Sequence, residues 1–157
     1  RTLSILVDAI SGGSLSYGED PIGETLVNIP AGAVQTPTEF RYATQPIAPT
    51  TSGAIPSIGD PFTLDAYRDG QALPNLLLLK PMTLTLHYSD HVVEGLREES
   101  LSVKRWDGKM WTTEGITAVK HDLAYNHLVV TATRTARFAL MGERRHVIYL
   151  PLAIKER

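Results

Sequence analysis

Short runs that alternate apolar and polar residues, separated by glycine, proline, asparagine and aspartate, constrain this chain more than any other feature of its sequence. The clearest run is residues 83–88, in which the apolar Leu84, Leu86 and Tyr88 alternate with the polar Thr83, Thr85 and His87. A period of two places successive side chains on opposite faces of a β-strand. Almost no stretch has a helical period, so the sequence predicts an all-β fold.

The spacing of these runs predicts an antiparallel β-sandwich of roughly ten strands. The predicted strands are residues 3–7, 26–29, 40–43, 62–67, 83–88, 101–106, 110–113, 116–121, 128–133 and 136–140. Asp107-Gly108 predicts a hairpin between two of them. The proline-rich residues 45–61 predict a long irregular loop or an edge crossing, and residues 92–99 the single helical turn.

Length and composition limit the number of domains and the classes of partner that this chain can have. A chain of 157 residues suits one domain, and we expect the sandwich at residues 1–142 and a strand extension at residues 143–157. The net charge of −2 gives no reason to expect a nucleic acid partner. Apolar runs such as Leu76–Leu79 are too short to span a bilayer.

The sequence carries no recognisable catalytic motif. Gly-x-Ser-x-Gly and phosphate-binding glycine loops do not occur, and there is no cysteine for thiol chemistry or zinc. His87 and His91 are four residues apart, but no glutamate follows His87 as in the metalloprotease motif. We therefore expect no enzymatic activity, no catalytic residues, no cofactor and no metal.

Two tryptophans on the predicted hairpin form a candidate ligand surface. Trp106 and Trp111 flank the turn, and Arg105 is next to Trp106. Aromatic and cationic side chains together can stack a sugar ring or a base. The alternative is a hairpin with a solvated basic face.

Four landmarks in this order resemble a known family. They are residues 11–15 (Ser-Gly-Gly-Ser-Leu), 27–34 (Val-Asn-Ile-Pro-Ala-Gly-Ala-Val), 101–111 (ending in Trp111) and 135–140 (Thr-Ala-Arg-Phe-Ala-Leu). Together they resemble the β-sandwich domain shared by zonula occludens proteins, netrin receptors and ankyrins, in its bacterial secreted form. The resemblance covers roughly residues 2–142 and implies a structural β-sandwich.

Some relatives of that domain cleave themselves at a His-Phe-Ser motif, in which the serine is the nucleophile. The matching positions here are Arg137-Phe138-Ala139. Alanine has no hydroxyl to attack a carbonyl, and arginine stays protonated and is a poor base. The resemblance therefore implies an uncleaved member of the family.

The C-terminal residues Tyr149–Leu152 resemble the Tyr-Leu-Pro-Leu ending of exported proteins from Chloroflexi-type bacteria. This resemblance implies a location outside the cell or at its surface. We expect the chain to reach that location after removal of a signal peptide.

The C-terminal segment also carries an aliphatic stripe. Ile148, Leu150, Leu152 and Ile154 repeat at period two, so all four share one face of a strand. Burying them is worth about 6–12 kcal/mol before other costs are counted. The strand docks either on its own sandwich or in a neighbouring copy, and Pro151 suits an edge position.

Docking in a neighbour would build a head-to-tail homopolymer. Residues 1–100 carry a net charge of −7 and residues 101–157 a net charge of +5, which would help copies to orient. The predicted interface contains Val147, Ile148, Tyr149, Leu150, Leu152 and Ile154. The sequence therefore predicts a structural subunit of an extracellular filament or layer, or alternatively an accessory module that binds surface glycan or protein.

Overall fold

The computed structural model describes residues 2–18, 23–45 and 57–146. Two antiparallel sheets pack face to face, so the predicted all-β sandwich is confirmed. The described chain forms twelve strands, numbered in chain order: β1 Thr2–Val7, β2 Gly13–Tyr17, β3 Thr25–Ile29, β4 Thr38–Thr44, β5 Ser57–Arg68, β6 Gln71–Ala72, β7 Leu77–His87, β8 Ser102–Trp106, β9 Trp111–Thr112, β10 Ile116–Asp122, β11 His127–Arg134 and β12 Arg137–Met141.

The two sheets are joined along both of their long sides. Sheet I has the order β1-β4-β5-β12-β8-β9, with β6 paired to β5, and sheet II has the order β10-β11-β7-β3-β2. On one side, residues 8–12 connect β1 of sheet I to β2 of sheet II. On the other side, residues 113–115 connect β9 to β10.

The core lies between the sheets, where the alternating residues point inward as predicted. Leu84, Leu86 and Tyr88 are buried, and so are Phe138 and Leu140 of β12. A series of aromatic rings crosses this core. Tyr17 stacks on Tyr42 at 4.8 Å between ring centroids, Tyr42 stacks on Phe62 at 4.9 Å, and Phe62 contacts Phe138 at 5.5 Å.

The prediction of an irregular segment at residues 45–61 was wrong for residues 57–61, which begin β5. A shift in register opposite Ala139 lets the three residues Gly59–Pro61 bulge out of the ladder. A bulge accommodates Pro61, which cannot donate to a regular ladder, and Gly59, whose φ is 68°. Residues 46–56 lie outside the described residues.

The helical turn predicted at residues 92–99 is replaced by two 3₁₀ turns, Asp90–Val93 and Glu98–Ser100. Gly95 lies between them with a positive φ of 80°, which a continuous right-handed helix does not allow.

The sandwich has two ends, which we name for the sections below. The upper end contains the last residues of β7 and β12 and the first residues of β5. The lower end contains the loops at residues 8–12, 30–37 and 69–76.

Candidate functional site

The predicted assembly segment, Val147, Ile148, Tyr149, Leu150, Leu152 and Ile154, lies outside the described residues. The structure does describe the residues that lead to it. Arg97 N donates to Glu143 O at 2.8 Å, and Arg145 N donates to Gly95 O at 2.9 Å. Residues 143–145 therefore run beside residues 95–97 at the upper end of the sandwich.

The two tryptophans of the candidate ligand surface lie together on the outer face of sheet I. Trp106 pairs with Trp111 across the hairpin, and their rings meet edge to face at 5.5 Å. On its other side Trp106 pairs with Arg137 of β12. The structure thus brings together two of the three predicted residues and adds Arg137.

Arg105, the third predicted residue, is absent from that surface. Its side chain points into the sandwich, and the residue is 8% exposed. Its Nε donates to the Glu114 carbonyl oxygen at 2.7 Å, and its Nη2 donates to Glu114 Oε2 at 3.1 Å. Glu114 belongs to the connection between the sheets, so Arg105 stabilises that corner. Leu101 and Val103 share its parity, a signal that could have predicted the inward orientation.

The edge strand β1 has the features of an acceptor for another strand. In the described chain it pairs with β4 alone, over all six of its residues. Thr2–Val7 contains no proline, lysine or bulge, the devices that usually protect a sheet edge. Leu6 points outward and is 68% exposed, although the other two outward positions of the strand are the polar Thr2 and Ser4.

The other edges of the described sheets are shorter or irregular. In β10 the register shifts at Val119, and Lys120 follows this bulge. Strand β9 has two residues. Strand β2 has five residues, and a Cβ at its first residue, Gly13, would lie 2.7 Å from Ile5 Cδ1 of β1 inside the sandwich. Among the described residues, β1 is therefore the longest edge strand that keeps a regular register.

The lower end exposes several large apolar side chains. Ile10 is 87% exposed in the loop after β1, and Leu77 and Leu79 are exposed at the start of β7. A shallow groove of about 170 Å³ beside these leucines is lined by Ala33, Val34, Gln35, Thr36, Arg68 and Leu76. The Nε of Arg68 is buried and has no hydrogen-bond acceptor in the described structure.

The histidines do not assemble a reactive centre. His91 is exposed at the upper end, with its Nδ1 3.7 Å from Glu94. His87 of β7 and His127 of the neighbouring β11 are opposite each other, with their ring centroids 5.3 Å apart. The Glu24 carboxylate lies 3.8 Å from Nδ1 of His87. Among the described residues, no group of three or more His, Asp or Glu side chains is arranged to hold a metal ion.

Tyr88 links three parts of the upper end. Its hydroxyl donates to Glu98 Oε1 at 2.7 Å, and His121 Nε2 lies 2.9 Å from the same hydroxyl. Burial and the nearby carboxylate of Glu98 raise the pKa of Tyr88. A phenol that holds its proton so firmly is unsuited to acid–base chemistry near neutral pH.

The four sequence landmarks lie in strands and turns of the sandwich. Residues 11–15 start β2, residues 27–34 end β3 and enter the next turn, residues 101–111 span the β8–β9 hairpin, and residues 135–140 lead into β12.

No family model matches the chain, and no curated protein sequence matches it. No helix among the described residues is long and apolar enough to cross a membrane.

Proposed function

We propose that this protein is a non-enzymatic structural subunit, assembled head to tail into an extracellular filament or layer by strand addition. The unprotected edge strand β1 carries the proposal, because it offers six residues of backbone to an incoming strand. In the proposal, the C-terminal stripe of one copy pairs with β1 of the next copy.

The two ends of the sandwich differ in a way that supports a head-to-tail arrangement. The chain approaches its C-terminal segment at the upper end, beside residues 95–97. The lower end exposes Ile10, Leu77 and Leu79. A contact between unlike ends is heterologous, and it propagates into a filament unless the rotation between copies closes a ring.

The strand direction also suits the proposal. Strand β1 runs towards the lower end, where Val7 pairs with Thr38. A segment that enters from a neighbour at the lower end and runs upward is antiparallel to β1. It meets β1 in the orientation in which β1 already pairs with β4.

A charge placed at the β1 edge tests the proposal. Leu6→Lys changes an exposed side chain, so the fold should be retained, while the ammonium group opposes the docking of an apolar strand. We expect the concentration needed for assembly to rise roughly ten-fold or more. Sedimentation velocity and electron microscopy of the full chain measure this change.

Val119→Lys is the matched control, because Val119 is 61% exposed on the bulged edge β10. This variant should assemble like the unaltered protein. If the unaltered protein stays monomeric at high concentration, or if both lysine variants assemble equally well, strand addition at β1 is excluded.

The resemblance to the secreted form of the zonula occludens, netrin receptor and ankyrin domain supports an extracellular location and an inert scaffold. Recovery of the protein from the cell surface or the culture medium of its source would agree with this location. Recovery from the cytosol alone would contradict it.

An accessory glycan-binding module is the second candidate. The observation in its favour is the pairing of Trp106 and Trp111 on the outer face of sheet I, with Arg137 next to them. Trp106→Ala should then abolish glycan binding without changing assembly, and a glycan array compares the two proteins.

A further inference from the structure

The outer face of sheet II carries a continuous row of uncharged polar side chains. The residues are in register across all five strands: Ser14 pairs with Asn28, Asn28 with Thr83, Thr83 with Thr131, and Thr131 with Thr117. Neighbouring strands lie about 4.8 Å apart, so this polar row extends about 19 Å across the sheet.

The side chains of the polar row are available to a ligand. Ser14, Asn28 and Thr117 are exposed, and Thr83 and Thr131 are half-buried. Within the described chain, none of the five side chains makes a hydrogen bond. Five hydroxyl and amide groups therefore present both donors and acceptors from one side of the sheet.

Formal charges are confined to the margins of this face. The adjacent row contains Ser16, Leu26, Thr85 and Val129, and ends at Lys120 on the outermost strand. The outer face of sheet I differs, because its strands carry outward charged side chains, namely Glu39, Arg41, Asp65, Lys104 and Arg137.

The uncharged polar side chains of this face disfavour a nucleic acid, an anionic membrane or a protein as its partner. A nucleic acid or an anionic membrane needs a cluster of cations, whereas the polar row and the adjacent row, as described, contain one lysine, Lys120, and it is paired with Asp122 at 2.8 Å. A protein interface needs an apolar centre, and the only apolar side chains that the polar row and the adjacent row contain are Leu26 and Val129. An uncharged ligand with repeated hydroxyl groups matches the face.

We propose that the polar row of sheet II binds a neutral polysaccharide, with Leu26 and Val129 of the adjacent row contacting the C–H faces of the sugars. Each hydrogen bond to a hydroxyl is weak, because it replaces a bond to water. A row of five acts together on a repeating ligand, so the contacts reinforce one another. This proposal is independent of strand addition, because β1 belongs to the other sheet.

Depletion of the full chain by insoluble cellulose, chitin or starch granules tests the proposal. The variant Thr83→Val with Thr131→Val removes the two central hydroxyls and keeps a β-branched shape. We expect binding to fall about ten-fold, since two hydrogen bonds are lost. The matched control is Thr83→Ser with Thr131→Ser, which keeps both hydroxyl groups at the same two positions.

Three results overturn the proposal. In the first, all three polysaccharides leave the unaltered protein in solution. In the second, the two double variants bind equally well. In the third, Trp106→Ala removes the binding and the double valine variant keeps it, which places the glycan on the indoles. Assembly measured on the same samples should be unchanged in the double valine variant, so failure of this proposal is distinct from failure of strand addition.

Discussion

At the scale of single residues, Tyr42 shows how the core controls a titratable group. It is 2% exposed and lies between the rings of Tyr17 and Phe62. Burial raises the pKa of Tyr42 to about 12, because a phenolate is poorly solvated between apolar rings. The folded protein therefore keeps this proton at a pH where an unfolded tyrosine loses it.

The raised pKa predicts a loss of stability in alkali. Below pH 10 the hydroxyl is neutral in both the folded and the unfolded chain, so its full contribution is present. Between pH 10 and about 12 only the unfolded chain ionises, and stability falls by up to about 3 kcal/mol. Tyr42→Phe should remove this part of the loss in denaturant titrations at pH 9 and pH 11.

The control for this prediction is Tyr125→Phe, because Tyr125 is 76% exposed. It should leave the alkaline loss unchanged. Equal curves for the two variants would mean that the Tyr42 hydroxyl does not ionise differently in the folded and unfolded chains.

The sequence predicts which face of a strand a side chain occupies, but it does not predict the groups to which that side chain hydrogen-bonds. The alternation at Leu84 and Phe138 correctly predicted which side chains are buried. The same parity argument, extended from Val103, would have turned Arg105 inward. Charge alone suggested an outward arginine, but the carbonyl of Glu114 satisfies its Nε inside the fold.

At the scale of elements, the β1–β2 connection depends on Gly12. Its φ is 67°, and an added Cβ would lie 2.4 Å from the Ile29 carbonyl oxygen. The turn also relies on Asp8, whose Oδ1 accepts hydrogen bonds from Ile10 N and Ser11 N at 2.7 Å. Both residues allow the chain to pass from sheet I to sheet II within a few residues.

Gly12→Ala should therefore be more destabilising than the same change at Gly70. Gly70 has a similar φ of 77° but no atom within 4 Å of an added Cβ. The positive φ costs about 1–2 kcal/mol at either site, and the clash adds about 1–3 kcal/mol at Gly12 alone. Urea unfolding of the two variants measures the difference, and equal losses would show that the corner relaxes around the methyl group.

Cross-strand register was beyond the reach of the sequence. Parity placed Thr83 and Thr85 on one face, but their alignment with Thr131 depends on how β7 and β11 meet. The bulges at Val119 and at Gly59–Pro61 shift the register by amounts that no local pattern encodes. The polar row and the β1 edge both result from pairing over long sequence distances.

At the scale of the whole molecule, the proposed subunit has one donor segment and one acceptor edge. A full chain with Leu150→Asp and Leu152→Asp would lack an apolar donor stripe and keep β1. The Leu6→Lys chain would keep the donor and lack a favourable acceptor. Each variant is therefore expected to fail in polymerisation for a different reason.

An equimolar mixture of these two variants should form dimers and grow no further. The donor of the Leu6→Lys chain can pair with the intact β1 of the other variant, which has no donor of its own. Sedimentation velocity would resolve one dimeric species that neither variant forms alone. Long polymers in the mixture would contradict a single donor and a single acceptor per copy.

The ladder between β1 and β4 also determines how such a polymer would respond to tension. Six consecutive residues pair in register, and the ladder runs from one end of the sandwich to the other. A pull along the strands loads these hydrogen bonds in shear, so they must break together, whereas a sideways pull would open them one at a time. The material built from this protein would therefore resist stretching far better than peeling.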